Sequence, residues 1–308
     1  MQKPTPLLVT IDTECDKSPT WRTSSPISFR GVTIGIPIIL QPLFREFGVR
    51  PTYLVSYEVM ERPECVDVLL AQPDAELGSH LHGEYVPPGE ISGTLDGTLT
   101  SEMQWEYGYP LEKAKLTTLT DKFAQVFGRS PRTFRAGRFG AGPATGRCLM
   151  ELGYAIDSTV TPHLSWESRL GYVNPDFRDS PELPYRIEAD GNLFMPGSAP
   201  LLELPVTLVK LPPASEQPAW FRPWISSRDT LAAIVDHVAR GNQVATIPRP
   251  LVMMFHNMEV FPAASPYPQT IQDVDAYVAA LRHTFALIRE YSLVPMTMSE
   301  YFDQMVAA

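Results

Sequence analysis

Leu77-Gly78-Ser79-His80-Leu81-His82-Gly83-Glu84 is the stretch on which the reading of this chain turns. It follows Asp74-Ala75-Glu76, which reads as the end of a buried strand, and it runs into a proline-rich loop, Val86-Pro87-Pro88-Gly89. Strand side chains repeat with period two, so His80 and His82 at a strand end can point the same way. Imidazole with carboxylate is the donor set that Zn²⁺ or another first-row divalent ion prefers. A loop with two solvated histidines is the competing reading.

Upstream, Leu7-Leu8-Val9-Thr10-Ile11 has the length and β-branching of a buried strand, and it empties into Asp12-Thr13-Glu14-Cys15-Asp16. Carboxylates crowded past a buried strand repel one another and call for a cation or an arginine; an acidic capping loop is the alternative. The apolar spacing from Ile34 to Phe47 predicts a helix closed by Gly48, with Pro42 kinking it or marking its true start. Pro51 to Ser56 predicts a second strand, and Glu64 to Ala71 a helix before the His80 strand. Strand and helix alternating at this spacing predict an α/β fold with a parallel sheet.

Downstream, Leu111 to Phe127 is an amphipathic helix closed by Gly128. Arg132 to Gly142 reads as a strand ending in a glycine-rich turn, with Arg135 and Arg138 beside it; the glycine spacing fits neither nucleotide fingerprint. Tyr154 to Asp157 and Leu201 to Val206 predict further strands, Pro205 placing the latter near an edge or a bend. Asp229 is expected to cap a helix from Thr230 to Arg240. Leu251 to Phe255 is a strongly apolar strand with His256 at its end, a satisfied core residue or a catalytic one. Thr270 and Asp273 resemble a capping box opening a helix that runs to about Glu290, before a last strand and a short terminal helix. Segments 84–111, 161–200 and 207–228 read as long loops. The first carries Trp105, Tyr107 and Tyr109, residues that could pack as core or stack on a sugar ring.

Composition narrows the function. The 308 residues suit one large α/β barrel or two smaller domains, and 44% apolar content is ordinary for a soluble protein. A net charge of -10 with no basic patch argues against a nucleic-acid partner. No run reaches transmembrane length, so no membrane partner is expected. Cys15, Cys65 and Cys148 show no Cys-x-x-Cys pattern, which argues against a disulfide framework and against a zinc deaminase. A reducing, cytoplasmic setting is expected. The oligomeric state is not legible.

Asp12/Glu14, His80/His82/Glu84, Arg135 and His256 all fall at strand ends, where parallel α/β barrels gather their active groups. The order of Thr10-Ile11-Asp12-Thr13-Glu14-Cys15-Asp16, Gly78-Ser79-His80-Leu81-His82, Phe134-Arg135-Ala136-Gly137, Tyr154-Ala155-Ile156-Asp157-Ser158 and Met254-Phe255-His256-Asn257-Met258-Glu259 resembles the polysaccharide deacetylases with a NodB homology domain. These form carbohydrate esterase family four, and the WalW-like subgroup is the nearest in appearance. The resemblance spans residues 7 to 300 and implies a distorted (β/α)7 barrel, one catalytic domain over 1–308.

It further implies a hydrolase of N- or O-acetyl groups on sugars, here a metal-dependent one that uses metal-activated water to remove an acetyl group from an N-acetylated sugar or related carbohydrate. Asp12 would be the base, His256 the acid and Arg135 the residue orienting Asp12. Glu14, His80 and His82 would be the metal ligands, with Glu84 the alternative to His82. The implied ion is Zn²⁺, with Co²⁺, Mn²⁺ or Ni²⁺ as alternatives. Arg138, Asp157 and Tyr267 are expected to contact substrate, a small carbohydrate or a nucleotide-linked sugar. The chain departs from the family pattern at Thr13, where a second aspartate is usual, at Glu84, where the second histidine is usual, and at Gly137, where proline is usual. A non-catalytic carbohydrate-binding protein, or a hydrolase of a non-sugar C–N bond, remains the alternative reading.

Overall fold

Apolar runs bounded by turns become strands here, and the longer periodic segments become helices packed beside them. The computed structural model describes residues 3–89, 104–166, 175–211 and 217–307. The strands are β1 (Thr5–Thr13), β2 (Pro51–Ser56), β3 (Glu76–Leu81), β4 (Thr133–Ala136), β5 (Ile156–Asp157), β6 (Tyr185–Arg186), β7 (Leu202–Glu203), β8 (Leu208–Val209), β9 (Ala219–Trp220), β10 (Leu251–His256) and β11 (Leu293–Pro295). The helices are α1 (Gln41–Phe47), α2 (Tyr57–Met60), α3 (Pro63–Leu70), α4 (Gly108–Phe127), α5 (Thr145–Glu151), α6 (Arg228–Asn242), α7 (Ile271–Glu290) and α8 (Met298–Ala307).

The main sheet runs β10-β1-β2-β3-β4-β5-β7-β6, with β11 paired to β1. β1 pairs in parallel with β10 and β11, β3 with β4, β4 with β5, and β5 with β7; the edge strand β6 is antiparallel to β7. These parallel strands with helices between them bear out the expected α/β fold built on a parallel sheet. By packing, the chain divides into two compact units: Met1–Tyr53 with Glu61–Glu76 and Thr207–Ala308, and Leu54–Met60 with Leu77–Val206.

In the first unit, β1 and β10 are buried nearly end to end, as parallel strands covered on both faces must be. The helix expected from Ile34 is two helices. A π-helical segment, Gly31–Leu40, contains Pro37, and α1 then starts with Pro42 in its first turn. Pro37 has no amide to give to this i→i+5 ladder, so the ladder loses one bond there. α1 ends at Gly48, whose φ of +66° is the left-handed closing conformation. The capping box at Thr270 and Asp273 is present in full at the start of α7. Ser227, not Asp229, caps α6 by accepting from the Thr230 amide at 3.2 Å. Asp229 sits instead in the first turn, where a carboxylate suits the helix dipole.

In the second unit, α4 buries Leu116, Leu119 and Phe123 as its spacing implies. The segment 161–200 contains the short strand β6, and 207–228, in the first unit, contains the hairpin β8–β9. Two-residue strands leave no periodicity to read. Residues 90–103, 167–174 and 212–216 of the long-loop segments lie outside the described residues. Cys15, Cys65 and Cys148 are buried, and none of them forms a disulfide. Among the described residues, no helix is long and apolar enough to cross a membrane.

Candidate metal and catalytic centre

β1 and β10 lie in parallel register, which sets Asp12 directly beside His256. Registered residues on neighbouring parallel strands face the same side of the sheet, so two residues 244 apart in sequence share one strand-end ledge. Past that ledge, Asn257 clamps the loop: its side-chain amide donates to the Glu14 carbonyl at 3.1 Å and its carbonyl accepts from the Glu14 amide at 2.8 Å. The clamp needs close approach. A Cβ on Gly31 would lie 2.6 Å from Met258 Cα and 2.8 Å from Asn257 Nδ2.

Each acidic residue of the first loop has its own setting. Asp16 is structural: it accepts from Ser28 Oγ at 2.6 Å and from the Arg30 and Gly31 amides at 2.9 Å, tying down the start of the π-helical segment. Glu14 is 2% exposed and forms an ion pair with Lys17, Nζ to Oε2 at 3.0 Å. Its other oxygen, Oε1, lies 3.7 Å from His256 Nε2.

His256 is fixed from its far nitrogen. Nδ1 is 2.7 Å from Glu259 Oε1, and the same oxygen accepts from Arg222 Nη2 at 2.5 Å. Burial alone would raise the Glu259 carboxyl, but the charge of Arg222 and the bond to His256 hold it below its ordinary value. An ionised Glu259 places the His256 proton on Nδ1 and leaves Nε2 as the exchanging nitrogen. Aromatic rings flank this group. Trp21 lies 4.9 Å from the His256 ring and 5.4 Å from Tyr267, and Tyr267 stacks on Trp224 at 5.5 Å. Arg222 carried no signal in the sequence beyond lying near a tryptophan pair, and Glu259 closed the His256 motif without a role of its own.

In the second unit, His80 is 1% exposed and its Nδ1 sits 2.9 Å from the Arg135 carbonyl. Donation to that carbonyl puts the proton on Nδ1 and the lone pair on Nε2, the arrangement of a metal-ligating histidine. His82 Nδ1 lies 3.2 Å from Glu84 Oε1, and Arg138 Nη1 is 2.9 Å from the same oxygen. Glu84, the alternative ligand, is therefore engaged with His82 and Arg138. Gly137 permits this packing, because a Cβ there would lie 2.5 Å from the Leu81 carbonyl oxygen and 3.0 Å from the His82 ring. Lys115, wholly buried, donates to the Gly83 and Val86 carbonyls at 2.9 and 2.6 Å and holds the loop that follows His82.

Arg135 is fully buried and donates to the Ser158 carbonyl at 2.7 Å and to Ser158 Oγ at 2.9 Å. Asp157 is also fully buried and accepts from Thr159 Oγ1 at 2.8 Å and from the Thr159 amide at 3.2 Å, so its carboxyl is spent inside the protein rather than presented to a ligand. Burial pushes its pKa up, and burial with the neighbouring Asp157 charge pushes Glu203 well up. The pair therefore shares protons instead of holding two charges.

Glu14 in the first unit and His80 and His82 in the second are each buried, and each carries a ligand atom of the kind a metal ion takes. One carboxylate and two imidazoles, one of them with its tautomer fixed by a backbone carbonyl, form the donor set of three-ligand zinc sites.

No protein-family model matches the sequence, and no curated protein matches it. Solved structures do. The Puue allantoinase is similar over 97% of this chain and 88% of its own at 14% identity, with a TM-score of 0.54. A GH57-type branching enzyme from Pyrococcus horikoshii is similar over 98% of this chain and 70% of its own at 10% identity, TM-score 0.51. A family 4 carbohydrate esterase from Streptomyces lividans is similar over 96% of this chain and 93% of its own at 13% identity, TM-score 0.43. At such identities the likeness is one of fold.

Proposed function

We propose that this protein is a metal-dependent hydrolase that removes an acetyl group from an N-acetylated sugar or a nucleotide-linked sugar, the whole chain serving as one catalytic domain. The observation that carries the reading is the buried imidazole pair His80 and His82, the His80 tautomer fixed by the Arg135 carbonyl, with the buried carboxylate of Glu14 as the third donor. The fold shared with carbohydrate esterases accords with it. A divalent cation held there, Zn²⁺ by its donor set, would polarise the scissile carbonyl and lower the pKa of a bound water.

The chain's own residues supply the proton transfers. Asp12, oriented by Arg135, takes the proton of the attacking water. His256 gives a proton from Nε2 to the departing amine while Glu259 steadies Nδ1, 2.7 Å away. Arg138 and Tyr267 meet the sugar; Asp157 acts from beneath, by fixing the end of β5. Glu84 orients His82 rather than ligating the ion.

The test is metal analysis of the purified protein together with acetate release from N-acetylated sugars. A bound divalent ion and a loss of at least about a thousandfold in turnover in His80→Ala and His256→Ala are expected. Full turnover after exhaustive chelation would end the proposal. Tight sugar binding that His256→Ala leaves intact, with no acetate released, would favour a non-catalytic binding protein. The allantoinase likeness gives a reason to include a ureide in the substrate panel, since turnover of it alone would move the reading to a non-sugar C–N bond.

A further inference from the structure

Lys17 is a cation buried against the carboxylate that the reading above assigns to the metal. Its side chain is 3% exposed, and Nζ lies 3.0 Å from Glu14 Oε2 and 3.5 Å from Cys15 Sγ. The backbone fixes it there: the Lys17 amide donates to the Ala264 carbonyl at 2.8 Å, and Lys17 forms an isolated antiparallel bridge with Thr23. A surface lysine swings clear at little cost, but one held at both backbone and side chain in a buried loop does not. Replacing a buried ion pair by apolar residues often leaves stability unchanged or raises it, so stability alone does not account for this one.

We infer that Lys17 is a resident counter-cation that competes with a divalent ion for Glu14 and sets the metal affinity of the centre. This rests on the proposed metal site. The ammonium holds Oε2, so Glu14 offers an incoming ion one oxygen rather than two, and the ion must bind beside a fixed positive charge. Two like-signed cations on one buried carboxylate repel strongly where water does not screen them. The centre therefore binds its ion more weakly than its three donors would allow, and neutralising residue 17 removes that penalty.

The experiment is calorimetric titration of the metal-stripped full chain with zinc chloride, in wild type, Lys17→Met and Lys17→Gln, with circular dichroism checking that each is folded. Binding at least about tenfold tighter in both variants is expected. A larger zinc-induced rise in Tm than in wild type should accompany it. Should the methionine variant fail to fold, the glutamine variant carries the test, because its amide still donates to Glu14. Zinc binding in a variant but not in wild type would also support the inference, the ammonium then excluding the ion outright. Equal or weaker affinity in the folded variants, with wild type binding zinc, would overturn this inference and leave the metal site standing. No binding in any of the three would overturn both.

Discussion

Two sets of buried acids, one in each unit, handle charge in opposite ways. In the first unit, Glu14 is matched with the cation Lys17, and Glu259 with Arg222. In the second, where Glu84 also meets a cation, Arg138, the deepest acids are matched with one another or with neutral donors. Asp157 is hydrogen-bonded to Glu203, and Glu112 accepts from Gln104 Nε2 at 3.0 Å and from Thr145 Oγ1. Its one wholly buried lysine, Lys115, is met by carbonyl oxygens, and burial lowers its pKa. A carboxylate beside a cation stays ionised and resists pH, whereas one beside another acid or a hydroxyl takes up a proton. The first arrangement suits groups that must keep a charge for a metal or a proton transfer. The second suits groups that only brace strands and helix ends.

The largest effect expected from this contrast is at Arg222. Arg222→Met leaves Glu259, which is 0% exposed, without its cation. Breaking one side of a buried pair costs about 3–5 kcal/mol. Chemical denaturation at pH 7 should show that loss, and the Arg222→Met, Glu259→Gln double variant should recover part of it. A single variant within about 1 kcal/mol of wild type would mean that Glu259 is protonated, as in the second unit, and the contrast would fail.

The second effect is at Glu112, whose carboxyl burial pushes up from 4.5 to about 7. A carboxyl with a raised pKa in the folded state favours folding while it keeps its proton. Its contribution is full below about pH 4.5 and is lost as pH rises through about 7. Glu112→Gln removes that loss. Its advantage over wild type should be near zero at pH 4 and reach about 2–3 kcal/mol at pH 8.5. Thermal unfolding of both proteins across that range tests it, and parallel curves would show that Glu112 titrates normally.

These groups also mark where the sequence stops being legible. Runs such as Leu251 to Phe255 announce strands because burial on both faces demands continuous apolar residues. Gly48, Gly128 and the Thr270–Asp273 box announce helix ends because each supplies a local bond or a backbone conformation that few other residues can. His80, His82, Glu14 and His256 stood out because each follows such a strand. Lys17, Lys115 and Arg222 did not, since a charged residue read alone belongs on the surface, and only the fold brings the buried partner. Arg222 meets Glu259 across 37 residues, and Lys115 meets Gly83 across 32. The π-helical segment escaped for a related reason: its bonding departs from the 3.6-residue period used to look for helices.

The smallest effect is expected at Glu203, and it is informative because it is small. Glu203 Oε1 accepts from the Val160 amide at 3.0 Å, and the carboxyl is pushed well up by burial and by Asp157. A group already carrying its proton at neutral pH loses little when glutamine replaces it. The amide oxygen can still accept from Val160, and the amide nitrogen can donate to Asp157 where the acid proton did. Glu203→Gln should therefore change stability by no more than about 1 kcal/mol at pH 7. Glu259→Gln, a change of the same atoms in the first unit, strips Arg222 of its counter-charge and should cost several times as much. Measured side by side, the two substitutions separate a protonated buried acid from an ionised one. Equal losses would show that both carboxyls are charged, and that the buried Arg135, whose charge acts to lower Glu203, outweighs burial there.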